Sequence, residues 1–201
     1  MLFFPGIASP AAAQEIIPFS SFNELIRLST YTVPAGALIW YLILEKKSLQ
    51  VFPGDLKIGK TDAVSFAWGF AGLILTGVII SVLMNAVNPF ETPPRVKAPG
   101  NLLGWTILVF SCAGTGYLEE SFFRFYLLQK LEDWVPSRPV KIIFAVLLFA
   151  LCHGYEGPWG ILNAALAGIL LSVLYEKFRT IHGISWAHAL YNIFVYVIGI
   201  F

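Results

Sequence analysis

The chain has 201 residues, 57% of them hydrophobic and 12% charged, with a mean hydropathy of +0.74; a soluble domain carries about twice that charge, so a soluble single domain is excluded. Its 17 Phe, 8 Tyr and 6 Trp, set in long apolar runs, exclude a disordered chain. Thirteen Lys and Arg against twelve Asp and Glu leave a net charge of +1, without the basic field that a nucleic-acid partner needs.

Residues 1–24 read as an N-terminal lead-in. The opening MLFFPGIASPAAAQ ends like a secretory signal at Ala11-Ala12-Ala13 but has no basic n-region, so it is taken as a flexible segment, not a cleaved leader. A membrane span needs about 20 mostly apolar residues. Six stretches qualify or nearly do: Leu25–Leu44, Ala63–Val87, Leu102–Ser121, Val140–His153, Trp159–Tyr175 and Gly183–Phe201. Period-two alternation is absent, so the spans are predicted to be helices. The fourth and fifth are short, which puts their connection below the membrane surface or tilts them.

The expected fold is therefore an all-α, polytopic bundle of about six transmembrane helices. Residues 25–100 hold the first two spans and their loops, and residues 101–201 hold the chemistry; no repeat or linker divides this single integral domain. Lys46, Lys47, Lys57, Lys60, Lys130, Arg138, Lys141, Lys177 and Arg179 fall on one side of the six spans, against only Arg27, Arg95 and Lys97 on the other, with Arg124 left inside an apolar segment. The Lys-rich loops are thus predicted to be cytoplasmic and both termini outside. Cys112 and Cys152 lie in apolar stretches and read as small buried hydrophobes, with no disulfide framework or Cys-based metal motif.

An ionisable group at the centre of a span costs about 2.5 to 3.5 kcal/mol on insertion scales, so each needs a partner or a task. Glu119, Glu120 and Arg124 occur in TGYLEESFFRFYLL, His153 in LLFALCHGYEGPWG, and His188 with Asn192 in ISWAHALYNIFVYV. Residues four apart share a helical face, so Glu120 pairs with Arg124 as a support, while Glu119, about 100° away, is left without a local counter-ion and looks along Cys112, Thr115 and Phe123. If helices 119–134 and 138–153 are antiparallel about Val135-Pro136-Ser137, their arms are equal, about 22 Å, and His153 lies level with Glu119. Phe149 then falls near Glu120 to Phe123. His188 and Asn192, also four apart, share one face of the last helix. Treating the fifth and sixth helices as a hairpin sets His188 nearer the cytoplasmic end than His153, unless the segment from Gly154 to Gly160 dips into the protein. His182 reads as a solvated loop residue, and Asn163 with Ala164 and Gly168 as a close-packing face.

Glu119-Glu120-Ser121-Phe122-Phe123-Arg124, Phe149-Ala150-Leu151-Cys152-His153 and His188-Ala189-Leu190-Tyr191-Asn192, in that order, resemble the CPBP family of intramembrane proteases, which includes CAAX prenyl proteases and bacteriocin-processing enzymes. Family members often have Gly after the Arg, where this chain has Phe125. The resemblance implies an endopeptidase with its site buried between the C-terminal helices. In it Glu119 activates water with help from His153, His188 and Asn192 stabilise the oxyanion, and Glu120 and Arg124 support them. No cofactor is then required. Zinc held by Glu119, His153 and His188 is the alternative, disfavoured because it leaves no carboxylate in the cavity to act as base.

The implied substrate is a membrane-associated or lipid-anchored polypeptide, the partner surface a lipid bilayer, and the location a bacterial inner membrane. A catalytically silent scaffold of the same fold that regulates a partner membrane protein is the alternative function, and a proton-relaying transporter is a third. The sequence points to no oligomeric state.

Overall fold

The computed structural model describes residues 16–49, 58–87, 95–132, 134–135 and 137–198. The signal-like residues 1–13, Lys57, Pro136 and the end of the last expected span, 199–201, lie outside the described residues. Seven α-helices follow in order: α1 Ser21–Leu49, α2 Lys60–Val87, α3 Leu102–Glu120, α4 Leu128–Glu132, α5 Arg138–Cys152, α6 Gly157–Phe178 and α7 His182–Ile198. A π-helical segment, Ser121–Leu127, fuses α3 to α4 as one rod, and a 3₁₀ turn, Gly154–Glu156, joins α5 to α6. The described helices thus form six rods, as the all-α reading expects. The single addition is a two-residue parallel pairing of β1, Ile16–Ile17, with β2, Arg95–Val96.

Polarity is inverted relative to a soluble protein. Trp68, Leu75 and Val82 on α2 and Phe144, Leu147 and Leu151 on α5 face outward, while Asp62, Ser65, Ser111, Glu120, Arg124 and Ser185 are fully or almost fully buried. Only a lipid-facing exterior makes this arrangement favourable. Three helical runs, Lys60–Val87, Leu102–Leu131 and Gly154–Phe178, are long and apolar enough to cross a membrane by length and composition. The remaining three rods fall short for identifiable reasons. The 29-residue α1 carries Glu24, Arg27, Glu45, Lys46 and Lys47, and α5 and α7 have only 15 and 17 residues.

Helix α1 packs on α3, α2 on α6 and α7, α3 on α7, and α5 on α6. Close approach depends on small residues. At Gly116 a Cβ would stand 2.8 Å from the Ser185 carbonyl oxygen, so only glycine lets α7 lie against α3 there. Because α7 pairs with α3 and barely with α6, the expected hairpin of the last two helices does not form. The depth mismatch it implied between His153 and His188 disappears with it.

Turn chemistry fixes the ends of the rods. Gly157, at φ 76°, reverses the chain after the 3₁₀ turn in a conformation open to glycine, and Pro158 starts α6. At the other end of the bundle, Asp62 accepts hydrogen bonds from Gly59 N (2.7 Å), Gly183 N (3.1 Å) and the Thr180 hydroxyl, capping α7 from the first turn of α2. Replacing Asp62 with Ala leaves the buried donors of Thr180 and Gly183 unmet, and thermal unfolding in detergent is expected to show a loss of about 3 kcal/mol, at about 1 to 3 kcal/mol for each orphaned group.

Candidate active site

The π-helical segment begins one residue after Glu120, and its wider turn buries three consecutive side chains, Phe123, Arg124 and Phe125. This is the local departure from the regular helix expected through 119–134. Such segments concentrate at functional sites. Arg124 donates from Nη1 to Glu120 Oε1 at 3.1 Å and reaches the Gly168 carbonyl of α6 at 3.5 Å. Its guanidinium lies 4.3 Å from the centre of the Phe149 ring, a cation–π contact, and both charged partners are at most 1% exposed. Phe125 is buried against Tyr175 and serves packing.

Glu120 has a second partner that the sequence did not reveal. His188 Nδ1 lies 2.8 Å from Glu120 Oε1, an oxygen already paired with Arg124. With Glu120 ionised, His188 donates from Nδ1, which leaves Nε2 facing Glu119 Oε2 at 3.7 Å. Glu119 Oε2 is buried and makes no hydrogen bond among the described residues. Carboxylate, imidazole and carboxyl thus stand in line, the first fixing the orientation of the second.

His153 caps α5. Its Nδ1 sits 2.8 Å from the Phe149 carbonyl, which can only accept, so Nδ1 carries the proton and Nε2 of the neutral ring is an acceptor. The ring is held between Phe149, 4.6 Å between centroids, and Tyr155, 6.2 Å. Phe149 also meets Phe123 edge-on at 5.0 Å. These contacts set the end of α5 level with the start of the π segment.

Glu119, His153, His188 and Asn192 all line one cavity of about 70 Å³, together with Thr115, Val195 and Tyr196. Of the face expected for Glu119, Thr115 is there, whereas Cys112 is bonded to Arg27 and Phe123 is turned onto Phe149. Glu119, His153 and His188 do not form a metal site as placed: among the described residues, no three His, Cys, Asp or Glu side chains are positioned to hold one ion.

Four further residues complete the wall. Arg27 and Tyr31 come from α1, in the part of the chain from which no motif was expected, and Tyr155 and Glu156 from the 3₁₀ turn. Arg27 pairs with Glu24 at 2.9 Å, donates to Ser111 Oγ at 2.8 Å and lies over the Tyr196 ring, whose hydroxyl donates to Glu24 at 2.6 Å. An arginine inside an apolar span is the sequence signal for such a role. Glu156 follows His153 by three residues, and 3₁₀ geometry brings such positions over one another. His182 is not a solvated loop residue: Trp186 Nε1 donates to Tyr117 Oη at 2.8 Å, and that hydroxyl meets His182 Nδ1 at 2.9 Å. Cys112 is buried as expected, but Cys152 is exposed on the outer face of α5.

Residues 100–194 match the family described as type II CAAX prenyl endopeptidase Rce1-like, so the resemblance carried by the three motifs is borne out there. The chain is 26% identical over 158 residues to UPF0177 protein YvdC of Lactococcus lactis, an alignment covering 79% of this chain. It spans 58% of that relative's length. No solved structure gives a match.

Proposed function

From the Rce1-like pattern of residues 100–194, we propose that the chain is an intramembrane endopeptidase that hydrolyses a peptide bond of a membrane-associated or lipid-anchored polypeptide. The observation that carries this reading is the placement of Glu119: a buried carboxyl oxygen without a hydrogen bond, 3.7 Å from an imidazole nitrogen, at the wall of a small cavity in an apolar bundle. A pair of that kind takes up and returns a proton without exchange with bulk solvent.

In this mechanism Glu119 accepts a proton from water as the water oxygen bonds to the scissile carbonyl carbon. His153, its Nδ1 tied to the backbone, holds the water through Nε2. The oxyanion is met by protonated His188 and the Asn192 amide. Collapse breaks the carbon–nitrogen bond, and Glu119 returns its proton to the departing amine. Glu120 and Arg124 position His188 and contact no substrate. The setting proposed for the chain is a bacterial inner (plasma) membrane; the similar protein from Lactococcus lactis is bacterial.

The test is mass spectrometry of membrane peptides from cells carrying wild-type or Glu119→Gln protein. New termini present only with wild type name the substrate; identical peptide sets would leave the silent scaffold as the better reading. Cleavage by the purified protein is expected to persist in excess chelator. Loss restored by zinc would return Glu119, His153 and His188 to the role of ligands.

A further inference from the structure

Resting on the proteolytic reading, we propose that this site takes its substrate from the extracytoplasmic side: the juxtamembrane segment of a membrane-anchored polypeptide already exported. Contacts between helix ends show which ends lie together. Glu45 at the end of α1 pairs with Lys130 on α4; Glu176 near the end of α6 pairs with Arg138 and Lys141 at the start of α5 and with Arg179; Asp62 at the start of α2 bonds the α6–α7 turn. Lys46, Lys47, Lys60 and Lys177 belong to the same end by their places in α1, α2 and α6. At the opposite end β1 pairs with β2, and Phe19 and Trp105 pack against the cluster of Leu108, Cys112 and Tyr196; the cations of this end among the described residues are Arg27, Arg95 and Lys97, fewer than at the first. Lys and Arg accumulate on the cytoplasmic side of short loops, so the first end is cytoplasmic.

The cavity occupies the other half. Arg27 is in the second turn of α1, Tyr196 is two residues from the end of α7, and Glu156 lies in the turn that closes the far end of α5. Glu119 precedes the end of α4 by thirteen residues, about 20 Å of helical rise from the basic end. The 15-residue α5 rises about 22 Å, against a hydrocarbon thickness of about 30 Å, so its tip, with His153, stops short of the outer surface. Half-exposed Tyr155 stands at that tip and marks where a polar segment arriving from outside reaches the acid.

The experiment labels introduced cysteines with a membrane-impermeant maleimide in a Cys152→Ser background, where the remaining Cys112 is fully buried, in intact bacterial cells and after permeabilisation. Gly100→Cys, where a side chain meets open space, and Tyr155→Cys are expected to label in intact cells at least ten times more than exposed Ser137→Cys, which labels only once the membrane is opened. The reverse order, or no labelling of Tyr155→Cys before permeabilisation, overturns the proposal. So do Glu119-dependent termini confined to cytosolic segments. Labelling is independent of catalysis: the expected labelling without any Glu119-dependent terminus would refute the proteolytic reading, whereas such termini with reversed labelling would refute the sidedness alone.

Discussion

Glu119→Gln is expected to lower the cleavage rate by about a thousandfold, the middle of the range lost when a positioned base is removed, while the unfolding temperature stays level or rises. The two halves of this result have one origin. Glu119 Oε2 is buried, makes no hydrogen bond among the described residues, and faces a histidine whose other nitrogen is already committed to Glu120. In the folded protein such a carboxyl is a cost, and an amide of the same shape, able to donate toward His188 Nε2, removes part of it. Glu119→Asp keeps the acid but withdraws it by about one methylene, so partial activity distinguishes proton chemistry from shape. Turnover of a membrane-bound peptide found by the mass-spectrometric comparison, with thermal unfolding in detergent, measures both. A variant that retains half its rate removes Glu119 from the mechanism.

The helices and the shared level of Glu119 and His153 were legible because both follow from periodicity. Four-residue spacing puts Glu120 with Arg124 and His188 with Asn192, and equal arms about residues 135–137 put His153 opposite Glu119. What stayed hidden depends on which rods touch. Nothing local in His188 or Glu120 says that α7 lies on α3 and not on α6; that pairing is permitted by Gly116, and glycines elsewhere in the spans look the same. The π segment was equally hidden, since SFFRFYL has the propensities of an ordinary helix and only the need to bury Phe123, Arg124 and Phe125 together distinguishes it. Arg27 and Tyr31 needed the α1–α3 contact before they could be counted with a cavity.

Arg124→Leu is expected to cost about 3 to 5 kcal/mol of stability, the largest effect on folding of any single change in the site, because a carboxylate that water does not reach loses its permanently charged partner and keeps only the His188 imidazole. Glu120 is fully buried, Arg124 Nη1 is its charged partner at 3.1 Å, and leucine also abandons the contacts to the Gly168 carbonyl and the Phe149 face. The magnitude belongs to the orphaned charge more than to the lost pair, and a second variant separates them. With Glu120→Gln added to Arg124→Leu, no ionised group is stranded, and most of the lost stability should return in detergent unfolding. Activity should not return. A glutamine accepts from His188 Nδ1 but supplies no negative charge to stabilise the imidazolium, so the oxyanion loses its charged donor. Stability restored together with full turnover would mean that the pair is a strut alone, and that His188 holds its catalytic orientation without Glu120.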